Sequence, residues 1–345
     1  MTLDAKPNNA PARRPTIKDV ATRAGVALGT VSRILNGNST VAPALRDHVR
    51  AVIAEIGYQP DLVARSMRAQ KTHVLGCIVT DISQPVAAAM IAGAAEVAGA
   101  AGYALFVSEF RNDRPTEERI FQVMKDRRID GLLATVGSDE DIAQRDILLS
   151  LPFPVVLWER DFEGGLLDSV LTDHRFGVRL ATEHLIAQGY GALALVSGHA
   201  GTWTGREQAA GFRAACEAHF GQTGAAIESR IMTTDAFAQG SPVLEAARRK
   251  PLGVVANIHD IPRLLKQARS LGLEAPRDIG LISIGDAEFL EVLDPAVTAI
   301  RGDPQRLGTM AAQRLLKRID TMPDDAPMRQ LERPQLIVRA SSARR

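Results

Sequence analysis

Apolar residues near the start of the chain recur at helical spacing. Ile17, Val20, Ala21 and Ala24 form one stripe of a short helix. Thr16 is placed to cap it, and Asp19 puts a negative charge into its first turn. Gly25 ends it where a left-handed backbone costs little. After Val26 and Ala27 a second helix is predicted, with Val31, Ile34 and Leu35 facing inward. Leu28, Gly29, Thr30, Ser32, Arg33 and Asn36 are left on its other face. Pro43 opens a third helix over 43–56, whose Leu45, Val49, Val52, Ile53 and Ile56 cover the first two. From Val74 the period changes. Nearly continuous apolar runs at 74–79, 104–108, 131–135, 155–158 and 169–171 are followed by a second set at 192–196, 253–256, 279–284 and 297–300. Helical stretches lie between them, at 86–101, 116–127, 177–188, 206–218 and 261–271. Apolar strands separated by helices imply parallel sheets covered on both faces. Two such sets in tandem imply two doubly wound subdomains with a cleft between them, and ligands in such folds sit at the carboxyl ends of the strands.

Two short helices joined by a tight turn containing Gly make a helix-turn-helix, whose second helix fits the DNA major groove. The outward residues suit that role. Arg33 can fork onto a guanine edge, Thr30 and Ser32 can donate to phosphate or base, and Leu28 can meet a thymine methyl. Charge sharpens the reading. The whole chain has a formal net charge of +1, but residues 1–73 hold 11 Lys/Arg against 5 Asp/Glu and the remainder 30 against 35. A basic head on an acidic body fits a module that meets a phosphate backbone. A chain of 345 residues suits two or three domains. No apolar run approaches the ~18–20 residues that span a bilayer, and the polar opening MTLDAKPNNAPARR has no secretory h-region. Cys77 and Cys216, far apart and in apolar contexts, read as buried reduced thiols of a cytoplasmic protein.

Residues 17–76 carry a specific series of blocks: IKDVA at Ile17, AGV at Ala24, TVSR at Thr30, LN at Leu35, V-x-x-x-L-R at Val41 and GYQPD-x-x-AR at Gly57. In order and spacing they resemble the head and hinge of the lactose-repressor (LacI) family of bacterial transcriptional regulators, and the resemblance continues more weakly to the C-terminus. It implies a small all-α helix-turn-helix head plus an α/β periplasmic-binding-protein-like core of two doubly wound parallel-sheet subdomains. The divisions expected are a disordered tail at 1–14, the head at 15–60 and a hinge at 61–73. The effector-binding and dimerisation domain fills 74–345, with one subdomain over about 74–171 and 302–332 and the other over about 172–301 and 333–345. In the family the hinge becomes helical on DNA, pairs with its twin and inserts a wedge into the minor groove. Asp61 would cap that segment, Ala64-Arg65 keeps the family spacing, and the wedge position, usually Leu, is Met67.

The resemblance also points to effector-binding positions. Thr80–Pro85 resembles D-I-S-N-P, with Gln84 at the family's Asn, and its polar residues would face the cleft; the aromatic pair that often follows is Val86-Ala87. Trp158 and Glu159 follow a strand where an indole beside a carboxylate would suit a sugar. GREQAAGF resembles R-x-R-x-x-G-[FY]: the arginine that usually meets effector is Gln208, and Arg206 matches the other. Asn257 keeps the Asn of an N-D pair, and Asp286 survives from G-F-D-D, whose other Asp is Gly285. The expectation is a homodimeric, sequence-specific DNA-binding regulator reading as a repressor, controlled by a small polar effector such as a sugar or sugar derivative. The homodimer follows because no leucine heptad accompanies VRASSARR. The rival is a solute-binding protein of a transport system, disfavoured by the basic head. Seven His, no Walker loop, no G-x-G-x-x-G after a strand and no metal-ligand cluster argue against an enzyme, a cofactor or a metal.

Overall fold

The computed structural model describes residues 15–35, 41–58, 71–197, 201–223, 228–233, 244–245, 247–320 and 326–344. The chain forms two compact units, residues 1–72 and 73–345.

In the first unit, α1 (Ile17–Ala24), α2 (Leu28–Leu35) and α3 (Pro43–Ile56) surround Val20, Ala21, Ala24, Val31, Ile34, Val49 and Val52. Helix α1 begins with a capping box: the Asp19 N–H donates to the Thr16 hydroxyl, and the Thr16 N–H donates back to the Asp19 carboxylate at 2.7 Å. It ends at Gly25, whose φ of 65° lets the Val26 N–H turn back onto the Ala21 carbonyl. Helix α3 stops the same way at Gly57, φ 66°.

The second unit holds two six-stranded sheets. The first is built from β1 (Val74–Val79), β2 (Ala104–Glu109), β3 (Gly131–Ala134), β4 (Val155–Trp158) and β5 (Asp168–Thr172). Helices α4 (Pro85–Ala100), α5 (Arg114–Asp126) and α6 (Ile142–Leu149) connect them. The second contains β6 (Ala192–Ser197), β7 (Glu228–Thr233), β8 (Leu252–Asn257), β9 (Ile279–Ile284) and β10 (Thr298–Arg301). Its helices are α7 (His174–Ala187), α8 (Trp203–Thr223) and α9 (Ile261–Ser270). Helix α10 (Pro304–Asp320) and β11 (Arg329–Glu332) then return to the first sheet, and β12 (Gln335–Ile337) to the second. Strand orders are β11-β5-β4-β3-β1-β2 and β12-β10-β9-β8-β6-β7. All neighbours run parallel except β12, which pairs antiparallel with β10 at one edge. Strand β7, helix α6 and strand β11 are absent from the apolar pattern. Strands β7 and β11 are edge strands, where polar residues such as the Arg329 and Glu332 of β11 are tolerated.

Each sheet is covered on both faces. On the first, Met90, Ala94 and Ala98 of α4 and Leu307, Ala311 and Leu315 of α10 cover one side, while Ile120, Phe121, Met124 and Leu148 cover the other. The returning segment is pinned by a buried carboxylate. Asp168 of β5 accepts from Arg314 Nε at 2.9 Å, Arg318 Nε at 2.6 Å and the Met328 N–H at 2.7 Å. Two charged helix residues are thereby satisfied inside the fold, where an unpaired ion would be costly. Helices α4 and α10 meet at glycines. A Cβ on Gly308 would lie 2.7 Å from the Met90 carbonyl carbon, and one on Gly93 would lie 2.9 Å from that of Gln305. Among the described residues no helix is long and apolar enough to cross a membrane.

Candidate functional site

The head presents α2 outward. Leu28, Gly29 and Arg33 are exposed, and Thr30 and Ser32 are half-buried beside them. Arg33 folds over its own helix, with Nε on the Gly29 carbonyl at 3.3 Å and a terminal nitrogen 3.5 Å from the Thr30 hydroxyl. Those are weak contacts that a guanine edge could replace. Gly29 adds no side chain, and the space where a Cβ would sit is open. Thr16 sits at the N-cap of α1, its hydroxyl hydrogen-bonded to Asp19. Asn36, Asp61, Arg65 and Met67, together with the tail expected at 1–14, lie outside the described residues.

In the second unit a cavity of about 650 Å³ opens where the carboxyl ends of both sheets meet. Its wall takes Thr80 after β1, Asn112 after β2, Thr135 after β3 and Glu159 after β4 from one subdomain. Asn257 at the end of β8 and Gly285 and Asp286 after β9 come from the other. Gln84, Glu159, Gln208, Asn257 and Asp286 all lie in this wall. Arg111, Asn112 and Glu159 hold φ of 49°, 59° and 55°, so three wall residues adopt left-handed backbones. Such conformations cost free energy and cluster at binding sites.

The carboxylates in this wall are already engaged. Glu159 accepts from the Thr172 hydroxyl at 2.5 Å, the Thr172 N–H at 3.2 Å and His174 Nε2 at 2.6 Å. Burial works to raise its pKa, but the His174 imidazole and the hydrogen bonds outweigh that and hold it below the usual glutamate range. Asp286 is gripped by both terminal nitrogens of Arg339, each at 2.9 Å, and by Arg301 Nε at 2.7 Å. Burial again opposes and the two guanidiniums prevail, so its carboxyl too titrates below the ordinary range. Asp81 accepts from the Ser83 hydroxyl and N–H. Gln208 takes the Ser197 hydroxyl at 3.1 Å and reaches Asn257 Oδ1 at 3.4 Å. What the wall offers a ligand is largely amide and hydroxyl groups set among Val79, Met90, Ile258, Ile284 and Leu307. That is the usual make-up of a small-molecule pocket.

Two expected effector residues do not reach the cavity. Trp158 is fully buried: it shares with Val156 the α4/α10 side of its sheet and packs in that core. The left-handed turn at Glu159 then carries Glu159 and Arg160 into the cleft wall. Among the described residues the only aromatic rings in the wall are the imidazoles of His174 and His259, so the sugar-stacking platform expected of the indole is missing there. Arg206 is tied to Asp139 at 2.8 Å and Glu140 at 3.0 Å. Conversely, Thr172, His174, Arg111, Asn112 and Thr204 line the cavity without having been singled out. The carboxyl-end rule, applied to every strand, would have found the first four. Among the described residues no group of three or more His, Cys, Asp or Glu is placed to hold a metal ion.

Comparison with known proteins places these two sites in one lineage. A family model described as bacterial regulatory proteins, lacI family, matches residues 16–61. One described as periplasmic binding proteins and sugar binding domain of LacI family matches 72–236, and a periplasmic binding protein-like domain matches 182–342. The chain is 29% identical over 335 residues to the HTH-type transcriptional repressor PurR of Photobacterium profundum, covering 94% of this chain and 98% of that one. It is 28% identical over 306 residues to the ribose operon repressor of Haemophilus influenzae, covering 88% and 92%. In fold it is similar to a lac repressor dimer bound to operator and an anti-inducer, with TM-score 0.80, 22% identity and coverage of 96% and 99%. It is also similar to the transcriptional regulator CelR in complex with cellobiose, with TM-score 0.68, 25% identity and coverage of 95% and 100%. The head of three helices, the paired sheets and the cleft between them thus make this chain a helix-turn-helix transcriptional regulator of the LacI family.

Proposed function

We propose that the protein acts in the cytoplasm as a homodimeric repressor whose operator affinity is set by a small polar effector, such as a sugar or sugar derivative, bound in the 650 Å³ cavity. One observation carries the effector reading: the cavity wall is shared by the two subdomains, so a ligand there touches both. A ligand shifts an equilibrium only by binding one state better than the other, and a wall split between two bodies supplies that difference. Repression is supported by the relatives, which carry the names of repressors. On the DNA side, Arg33, Thr30, Ser32 and Leu28 read base edges, Gly29 lets the helix backbone approach, and Thr16 and Asn36 touch the backbone. Residues 61–73 form the hinge, with Asp61 as its cap, Arg65 on phosphate and Met67 as the minor-groove wedge. Two heads then face a near-palindromic operator. Gel-shift with the protein's own promoter region, repeated with a panel of sugars and related polyols, tests both halves. A shift that no scrambled duplex reproduces, and that one effector alters, is expected. Equal binding to scrambled DNA removes the operator reading. Light scattering should give two chains per particle, and four would remove the homodimer.

A further inference from the structure

The seam between the two subdomains holds a contact that lies outside the cavity wall. Asp139, in the loop between β3 and α6, has a side chain with no exposed surface. Its carboxylate crosses to the other subdomain: Oδ2 accepts from the Trp203 backbone N–H at 2.7 Å, and Oδ1 from Arg206 at 2.8 Å. Helix α8 begins at Trp203, so a carboxylate of one subdomain caps a helix of the other, where its N–H groups and dipole favour a negative charge. Neighbouring contacts reinforce the crossing. Arg206 also holds Glu140 at 3.0 Å, and the Ser138 hydroxyl donates to the Gly201 carbonyl at 3.1 Å. Trp203 is 6% exposed, and its ring lies 5.5 Å from the Arg329 guanidinium of β11 and meets His174 edge-on at 5.9 Å.

We propose that Asp139 is the bolt of a latch that fixes the angle between the subdomains, with Trp203 and Arg206 as its keepers. The consequence for the ligand cavity follows from α8 itself. The helix places Thr204 and Gln208 in the cavity wall, and the Thr204 hydroxyl donates to the Glu159 carbonyl at 2.8 Å. Turning α8 away from Asp139 therefore moves cavity groups as well. It strips the buried Asp139 carboxylate of both cross-subdomain donors and leaves it the Asp161 N–H at 3.3 Å in its own subdomain. The two crossing bonds thus break together rather than by degrees. The role of this latch in regulation rests on the functional reading above, in which a ligand touching both subdomains sets operator affinity; the latch itself does not.

Acrylamide quenching of tryptophan fluorescence in the full chain tests it. Trp158 is fully buried in one subdomain core, so quenching reports Trp203. Asp139→Ala combined with Arg206→Ala should raise the quenching constant several-fold while the far-ultraviolet circular dichroism stays that of the wild type. Asp139→Asn keeps an acceptor for the Trp203 N–H and loses the ion pair, so it should fall between. Quenching equal to wild type in both overturns the latch. If the double variant does not fold, Arg206→Ala alone decides in the same way, because its side chain is 36% exposed and its loss leaves a small hole. The measurement needs no DNA. Failure to bind an operator would therefore remove the repressor reading and leave the latch standing.

Discussion

The crossing of α4 and α10 makes one substitution type predict opposite outcomes at two glycines. At Gly308 a Cβ would stand 2.7 Å from the Met90 carbonyl carbon and 3.0 Å from its Cα, and closer still to the carbonyl oxygen. Backbone, not a flexible side-chain end, is in the way. The carbonyl carbon must retreat from 2.7 Å to the 3.4 Å where ordinary contact begins, and the oxygen further. That separates Leu307, Ala311 and Leu315 from Met90, Ala94 and Ala98, which pack together on one face of the first sheet. Overpacking of a filled core costs ~1–3 kcal/mol, and a rigid obstacle puts Gly308→Ala at the upper end. Gly99 lies in the same α4, is exposed, and has nothing within 4 Å of its Cβ site. There Ala only removes unfolded-chain entropy, so Gly99→Ala should stabilise by ~0.5–1 kcal/mol. Urea titration of the full chain, followed by circular dichroism, should move the core midpoint down for Gly308→Ala and up for Gly99→Ala, with unchanged slope. Should Gly308→Ala unfold within half a kcal/mol of the wild type, the two helices do not cross at the distance described, and the packing argument fails.

Three further outcomes follow from single sites. Arg33→Ala should lower discrimination between cognate and scrambled DNA by ~1–3 kcal/mol, the range for a lost bidentate base contact, as read by gel-shift at one salt concentration. Thr16→Ala removes the capping hydroxyl of α1 and should destabilise the head by ~1 kcal/mol, visible as an earlier thermal transition of its helices. At Asp168, burial pushes the carboxyl up, but hydrogen bonds from Arg318 and Arg314 outweigh it and hold the pKa below the usual aspartate range. A pKa depressed by folding means that this stabilisation is complete above the unfolded value near 3.9 and is lost as pH falls through the folded one. Asp168→Asn should therefore unfold more easily at neutral pH, by ~3–5 kcal/mol for a broken buried pair. Its stability should also change less between neutral and acid pH than that of the wild type. A parallel acid dependence in the two proteins would contradict the assignment.

What the sequence determined alone is what local chemistry controls. The head is legible because its signals are short-range: the Thr16 and Asp19 box, the stripe of Ile17, Val20, Ala21 and Ala24, and the left-handed Gly25 and Gly57. Strands 74–79, 155–158 and 279–284 are legible because strands buried on both faces must be apolar throughout. The rest was decided by contacts between residues far apart in the chain. Alternation says that Trp158 and Leu157 face opposite ways, but only the packed sheet puts the indole toward α4 and α10 rather than into the cleft. Whether Arg206 or Asp286 is available to a ligand depends on ion-pair partners 67 and 53 residues away, Asp139 and Arg339. The edge strands β7 and β11 carry too little apolar pattern to announce themselves, because half of an edge strand's surroundings is solvent and the neighbouring strand supplies its hydrogen bonds. Side-chain type sets what a residue can do, and the tertiary fold sets which partner consumes it.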